Sequence, residues 1–265
     1  MIEDHTTDAV NDERNISDTP GKDFKGAWPG AWEAIGETFD RIKRSPWPAL
    51  LMIVVTAVAG FVDDYYNKDG ETFPVGPSFV AFLVFLVFAY TYVLGITDGK
   101  KMTIGKSFVT DARTYVRTFF GTIFVGFATT LSVLALVFPA IWVIPWLRFV
   151  LLIVRDQNVP ISQAVKESYR LADDNKAKIW GIYGATILLA LPLVIGAVVM
   201  ASYGLITFEE GVLQFTTPVI WAVAVATLYS TFLQLLSDGA SARLYRWLQA
   251  NVAEEPVSEP TARDN

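Results

Sequence analysis

The sequence predicts an all-α, polytopic membrane fold, and three observations carry that prediction. Of 265 residues, 52% are hydrophobic and 18% are charged, whereas soluble domains carry roughly 25% charged residues. Apolar stretches of about 17 to 21 residues recur, each able to cross a hydrocarbon core of roughly 30 Å. Basic residues gather in alternate loops between them.

Six apolar segments follow in order, at residues 46–62, 77–97, 118–137, 139–154, 179–201 and 217–236. The fourth is the shortest and reads as a tilted span or as a re-entrant segment shielded by its neighbours. Because it separates two basic regions, a span is preferred. One set of loops then holds Arg41, Lys43, Arg44, Lys100, Lys101, Lys106, Arg113, Arg117, Arg155, Lys166, Arg170, Lys176, Lys178, Arg243 and Arg246. The other set holds Lys68 alone, fifteen basic residues against one. The positive-inside rule places both termini in the cytoplasm, with the chain multi-pass in the cytoplasmic membrane. Trp28, Trp32, Trp47, Trp180 and Trp247 fall near cytoplasmic boundaries, and Trp142, Trp146 and Trp221 near outer ones, where indole rings favour the headgroup layer.

Residues 26–250 form the predicted membrane domain. The flanks 1–25 and 251–265 are polar and rich in acidic residues, a composition that predicts disordered cytoplasmic tails. The first has no apolar h-region and does not read as a signal peptide.

Three cytoplasmic stretches look alike: AWEAIGETFDRIKRS, TIGKSFVTDARTYVRT and ISQAVKESYRLADDNKAK. Trp28, Trp32, Ile35, Phe39 and Ile42 fall on one helical face, as do Ile104, Phe108, Ala112 and Tyr115, and Ile161, Val165, Tyr169 and Ala172. An apolar stripe with terminal lysines and arginines suits the membrane interface. The predicted plan is therefore an interfacial helix plus a membrane hairpin, used three times. Small residues such as Gly181, Gly184, Ala185 and Ala190 would let helices approach closely, and Pro192 would bend the fifth segment.

The chemistry on offer is sparse. There is no cysteine, and His5 is the single histidine. No metal-ligand spacing, phosphate loop or nucleophile–base pair occurs, so neither cofactor nor catalysis is expected. Within the segments the one ionisable group that stands out is Arg148. Pro145 deprives the Ile141 carbonyl of its i+4 donor, so Arg148 reads either as a snorkelling anchor or as a lipid- or anion-binding arginine at a kink. With no carboxylate inside the segment limits, its expected partner is a freed carbonyl or a lipid phosphate. Arg113, Arg117, Arg155 and Lys178 complete the candidate lipid- or anion-binding set.

The stretch 139–183 resembles a signature of bacterial six-helix membrane proteins. A proline-containing segment with an arginine leads into Ala164, Val165, Lys166 and Ser168, then a span opened by Trp180; the closing ARLYRWL, with Tyr245 and Arg246, resembles the same group's ending. The group includes the membrane domain attached to glycerophosphoryl diester phosphodiesterases and the stand-alone YciC-type proteins. That resemblance implies the membrane part without the enzyme, since the catalytic TIM barrel needs about 250 residues. Two functions are expected to compete. One is a non-enzymatic protein that organises or binds anionic lipid, or a membrane-protein partner, and no nucleic acid. The other is a transporter or channel for a lipid or apolar solute.

Overall fold

A computed structural model describes residues 24–67, 77–108, 110–134, 137–203, 206–209, 212–215 and 217–254. In chain order its elements are α1 (Ala27–Arg44), α2 (Pro46–Asn67), α3 (Pro77–Thr97), α4 (Ile104–Phe108), α5 (Ala112–Leu134), α6 (Val137–Leu147), α7 (Val150–Gln157), α8 (Ile161–Asp173), α9 (Lys176–Ser202), β1 (Ile206–Glu209), β2 (Val212–Phe215) and α10 (Thr217–Glu254). The fold is helical, as predicted, with one addition. β1 and β2 pair antiparallel, Ile206 with Phe215 and Glu209 with Val212. Their β-branched and aromatic residues favour the extended backbone in this connection.

In their described residues the six predicted segments fall on helix, the fourth interrupted at residues 148–149. Among the described residues, α5 and α9 are long and apolar enough to cross a membrane. A third crossing is available if α1 and residues 46–60, bent by 97° at the break between them, act as one.

In α5 small residues lie inside and large ones outside, and in α9 small residues share the inside with two isoleucines. The buried positions of α5 are Thr114, Thr118, Gly121 and Ser132, while Phe120, Phe127 and Leu134 lie exposed. In α9, Gly181 and Ala185 are buried beside Ile179 and Ile182, and Ile187, Val194, Ile195 and Val198 face outward. A Cβ at Gly181 would overlap the Ala27 carbonyl, and one at Gly239 would overlap the Thr38 side chain. Only glycine permits α1 to sit this close to α9 and α10. Pro192 lies inside α9 without ending it.

Several expectations need correction. The second amphipathic stretch is not one helix. It divides into the five-residue α4 and the head of α5, because Asp111 starts a new helix: its carboxylate accepts from the Thr114 N–H (3.4 Å) and its carbonyl from Tyr115 N–H (3.0 Å), as an N-cap aspartate does. In α1 the predicted stripe divides between burial, at Ile35 and Ile42, and exposure. Ala31, Ala34, Ile35, Thr38 and Ile42 are buried, whereas Trp28, Trp32 and Phe39 stay partly exposed, because small residues permit the close approach. In α8 the buried positions are Ala164, Ser168, Leu171 and Ala172, and Tyr169 is exposed. The sixth segment does not stop at residue 236. Its helix runs unbroken to Glu254, into the predicted tail. At the other end Phe24 is buried against Gly30 and 6.1 Å from the Trp247 ring; the rest of the amino-terminal tail lies outside the described residues.

The fourth segment is two helices, α6 of 11 and α7 of 8 residues, about 16 and 12 Å long at 1.5 Å per residue. Neither alone spans a bilayer. Trp142 and Trp146, expected at an outer boundary, instead lie 4.4 and 5.4 Å from Lys176 Nζ at the head of α9, a residue expected in the cytoplasm. Those two placements cannot both hold for a straight fourth span.

Candidate functional site

The break between α6 and α7 follows from Pro145. A proline has no N–H to give to the carbonyl four residues back, and Trp180 fills that gap by donating its indole N–H to the Ile141 carbonyl at 3.1 Å. The Pro145 carbonyl takes the Arg148 N–H at 3.2 Å, a tighter i to i−3 turn. Phe149 N–H and the Trp146 carbonyl are then left without helical partners. Ser168 serves both. Its Oγ donates to the Trp146 carbonyl at 2.5 Å and accepts from Phe149 N–H at 3.2 Å, and helical bonding resumes from Ile153 N–H to Phe149 O at 2.9 Å. Ser168 and Phe149 are fully buried, where an unmatched backbone group costs about 1–3 kcal/mol. The serine of the Ala164–Ser168 motif therefore has a definite task.

This break points Arg148 into the bundle. Its guanidinium Nη2 lies 3.1 Å from Asp238 Oδ1 and donates to Ser237 Oγ at 2.9 Å. Nε donates to Ser241 Oγ at 2.7 Å, and the Tyr183 ring lies 4.9 Å from the guanidinium carbon. Gln234 Nε2 donates to both Asp238 oxygens at 3.2 and 3.0 Å. The two charged side chains retain only 13% and 8% exposure, so this pair is desolvated rather than solvated.

The protein partner of Arg148 is thus a carboxylate, with two serine hydroxyls, rather than a freed carbonyl. Asp238 went unseen because the sixth segment was ended at residue 236, two positions short. The signal was present in QLLSDGAS. Gln234, Ser237, Asp238 and Ser241 recur at steps of three, one and three, one polar face of a continuing helix.

The remaining candidates do not gather around Arg148. Arg155 Nε donates to Thr91 Oγ1 on α3 at 2.7 Å. Arg117 Nη1 donates to the carbonyl of Asn158 and, at 2.8 Å, to its Oδ1. Asn158 ends α7 in the left-handed conformation with φ of 51°, which asparagine tolerates better than most residues. Lys178 donates to Asn175 Oδ1 at 2.8 Å and lies 4.1 Å over the Trp247 ring. Arg113 is exposed. Arg113 and Arg117 belong to α5, Arg155 to α7 and Lys178 to α9.

The carboxy-terminal motif supplies residues whose roles sequence reasoning missed. Arg246 grips two carboxylates at once, Asp98 at 2.9 and 3.1 Å and Asp156 at 2.7 and 2.8 Å. Tyr245, fully buried, donates to Asp156 Oδ2 at 3.0 Å and accepts from Gln157 and Gln249. Arg243 meets Glu37 at 2.8 Å and Glu33 at 3.4 Å on α1. The lower half of α10 therefore ties α1, the end of α3 and the end of α7 together through forked guanidinium contacts. Among the described residues, no group of three or more His, Asp or Glu side chains could hold a metal ion. No family model, curated protein or solved structure matches this chain.

Proposed function

We propose that this chain is an integral membrane protein, without catalysis of its own, that binds or organises lipid at the cytoplasmic face of the cytoplasmic membrane. One observation carries the membrane reading. α5 and α9 turn most of their large apolar side chains outward, Phe120, Phe127, Ile187, Val194, Ile195 and Val198 among them, and surfaces of that extent are not stable in water. In this reading all six apolar segments lie within the bilayer, the fourth as a broken pair. The exposed Arg113 and the flanking lysines form the collar for anionic headgroups, each worth about 1 kcal/mol near such a surface. The resemblance at residues 139–183 agrees with a membrane module lacking an enzyme and is carried by the residue pattern alone.

A second reading, transport of a lipid or apolar solute, is favoured by the break at Arg148–Phe149 with a buried ion pair beside it, since interrupted helices recur in transporters. Reconstitution into liposomes separates the two. The first reading expects retention of anionic lipid through purification, with no acceleration of lipid exchange between leaflets. Fast exchange, lost on disrupting Arg148–Asp238, would establish the second, and absence of both activities would reject the pair.

A further inference from the structure

The loop between α8 and α9 meets α6 in an aromatic cluster that the ion-pair network does not use. Trp146 lies 5.0 Å from the Tyr169 ring and 6.5 Å from Trp142. Lys176 Nζ sits 4.4 Å from Trp142 and 5.4 Å from Trp146, and 2.5 Å from Asp173 Oδ1. One ammonium is therefore held by two indole faces and a carboxylate, with a tyrosine ring tilted against the second indole. Trp142 and Tyr169 each retain 46% exposure, and the Asp173 side chain 40%. The enclosure opens outward. Aromatic faces combined with one carboxylate select a cation by the ring quadrupole and by charge.

We propose that Trp142, Trp146, Tyr169 and Asp173 form a binding site for an ammonium group carried next to a phosphodiester, with Lys176 as its intrachain occupant. The ligand class is the ethanolamine headgroup of a phospholipid. Asp173 and the indole faces receive the ammonium, and Lys176, displaced on its flexible stem, meets the phosphate. The site as it stands carries one positive and one negative charge, Lys176 and Asp173, and so matches a zwitterion better than an anion. Trp142 belongs to an apolar helix that also exposes Ile141. The inference rests on the lipid-binding reading above and adds headgroup identity to it.

The test uses full-length protein in nanodiscs of equal parts phosphatidylethanolamine and phosphatidylglycerol, with retained lipid measured by native mass spectrometry. Lys176→Met removes the internal competitor while keeping an apolar stem. It should raise the ethanolamine-to-glycerol retention ratio by about tenfold, between the scales of an exposed and a desolvated cation–π contact. Adding Trp142→Ala to that variant should return the ratio to unity, and unchanged thermal unfolding of the double variant shows that the fold persists. Soluble glycerophosphoethanolamine forms the second arm. Binding only of the soluble compound would assign the site to a free metabolite, and binding only of the lipid confirms the membrane source. If Lys176→Met leaves the ratio unchanged while the wild-type chain still retains lipid, the cluster is an internal clasp and the headgroup site is refuted. If no variant retains any lipid, the broader lipid-binding reading fails instead.

Discussion

Removing the carboxylate from Asp238 tests the central packing claim. In Asp238→Ala the Arg148 guanidinium keeps its hydroxyl partners Ser237 and Ser241 but loses its counter-charge at 13% side-chain exposure. Breaking a buried pair from one side costs about 3–5 kcal/mol, because the surviving charge stays desolvated. At roughly 2–4 °C per kcal/mol for a chain somewhat smaller than this one, the midpoint should fall by about 10 °C. Thermal unfolding of the purified protein in detergent, followed by circular dichroism, measures it. Removing both charges in Arg148→Met/Asp238→Leu should recover most of the loss, since an apolar pair of similar volume is often as stable as the ion pair. Arg148→Lys should fall between, because an ammonium keeps one contact with Asp238 but cannot reach Ser241 and Ser237 in the same fork. An Asp238→Ala variant with an unchanged midpoint would refute the reasoning, for it would mean that Arg148 is solvated.

Four further outcomes are expected. Ser168→Ala orphans the Trp146 carbonyl and the Phe149 N–H together and should cost about 2–6 kcal/mol in the same assay, at about 1–3 for each group; a neutral result would show that the break needs no support. Gly181→Ala should destabilise strongly, because its Cβ meets the backbone of Ala27, whereas Gly36→Ala, exposed in α1 with nothing nearby, should stabilise by about 0.5–1 kcal/mol; equal effects would contradict the close packing of α1 on α9. The hydrogen bond from Lys176 holds the Asp173 carboxyl below its ordinary range, and that from Thr114 does the same for Asp111. Both are more acidic folded than unfolded, so their stabilisation is complete above the ordinary carboxylate range and is lost as pH falls through the lowered values; Asp111→Asn and Asp173→Asn should each flatten the acid side of a midpoint-against-pH curve, and a parallel curve would reject the assignment. Finally, cysteines introduced at Asn67 and Glu210 into this cysteine-free chain should react with an impermeant thiol reagent in intact cells, and those at Asp174 and Ala253 should not. Ser107 is buried, so the exposed Lys106 is the better inner site; outside labelling there would overturn the topology.

Composition and periodicity were enough for the helical class and for the positions of the apolar helices, because a bilayer-length apolar run depends on local composition alone. Residues 77–97 and α3 coincide. The consequence of Pro145 was legible too, since a missing N–H is a property of one residue. What filled the gap was not, because Trp180 and Ser168 arrive from other helices. The buried faces of α1 and α8 were not legible either, for a related reason. Hydrophobicity ranks tryptophan and phenylalanine as the interior residues, yet where two backbones must approach closely the interior is given to Ala31, Ala34 and Gly181, and the large rings are left outside. Arg148 shows the limit most clearly. Its charge and its cost in an apolar segment are written in the chain, but Asp238 lies 90 residues away, and only the folding of α10 against the break in α6–α7 decides that the two meet.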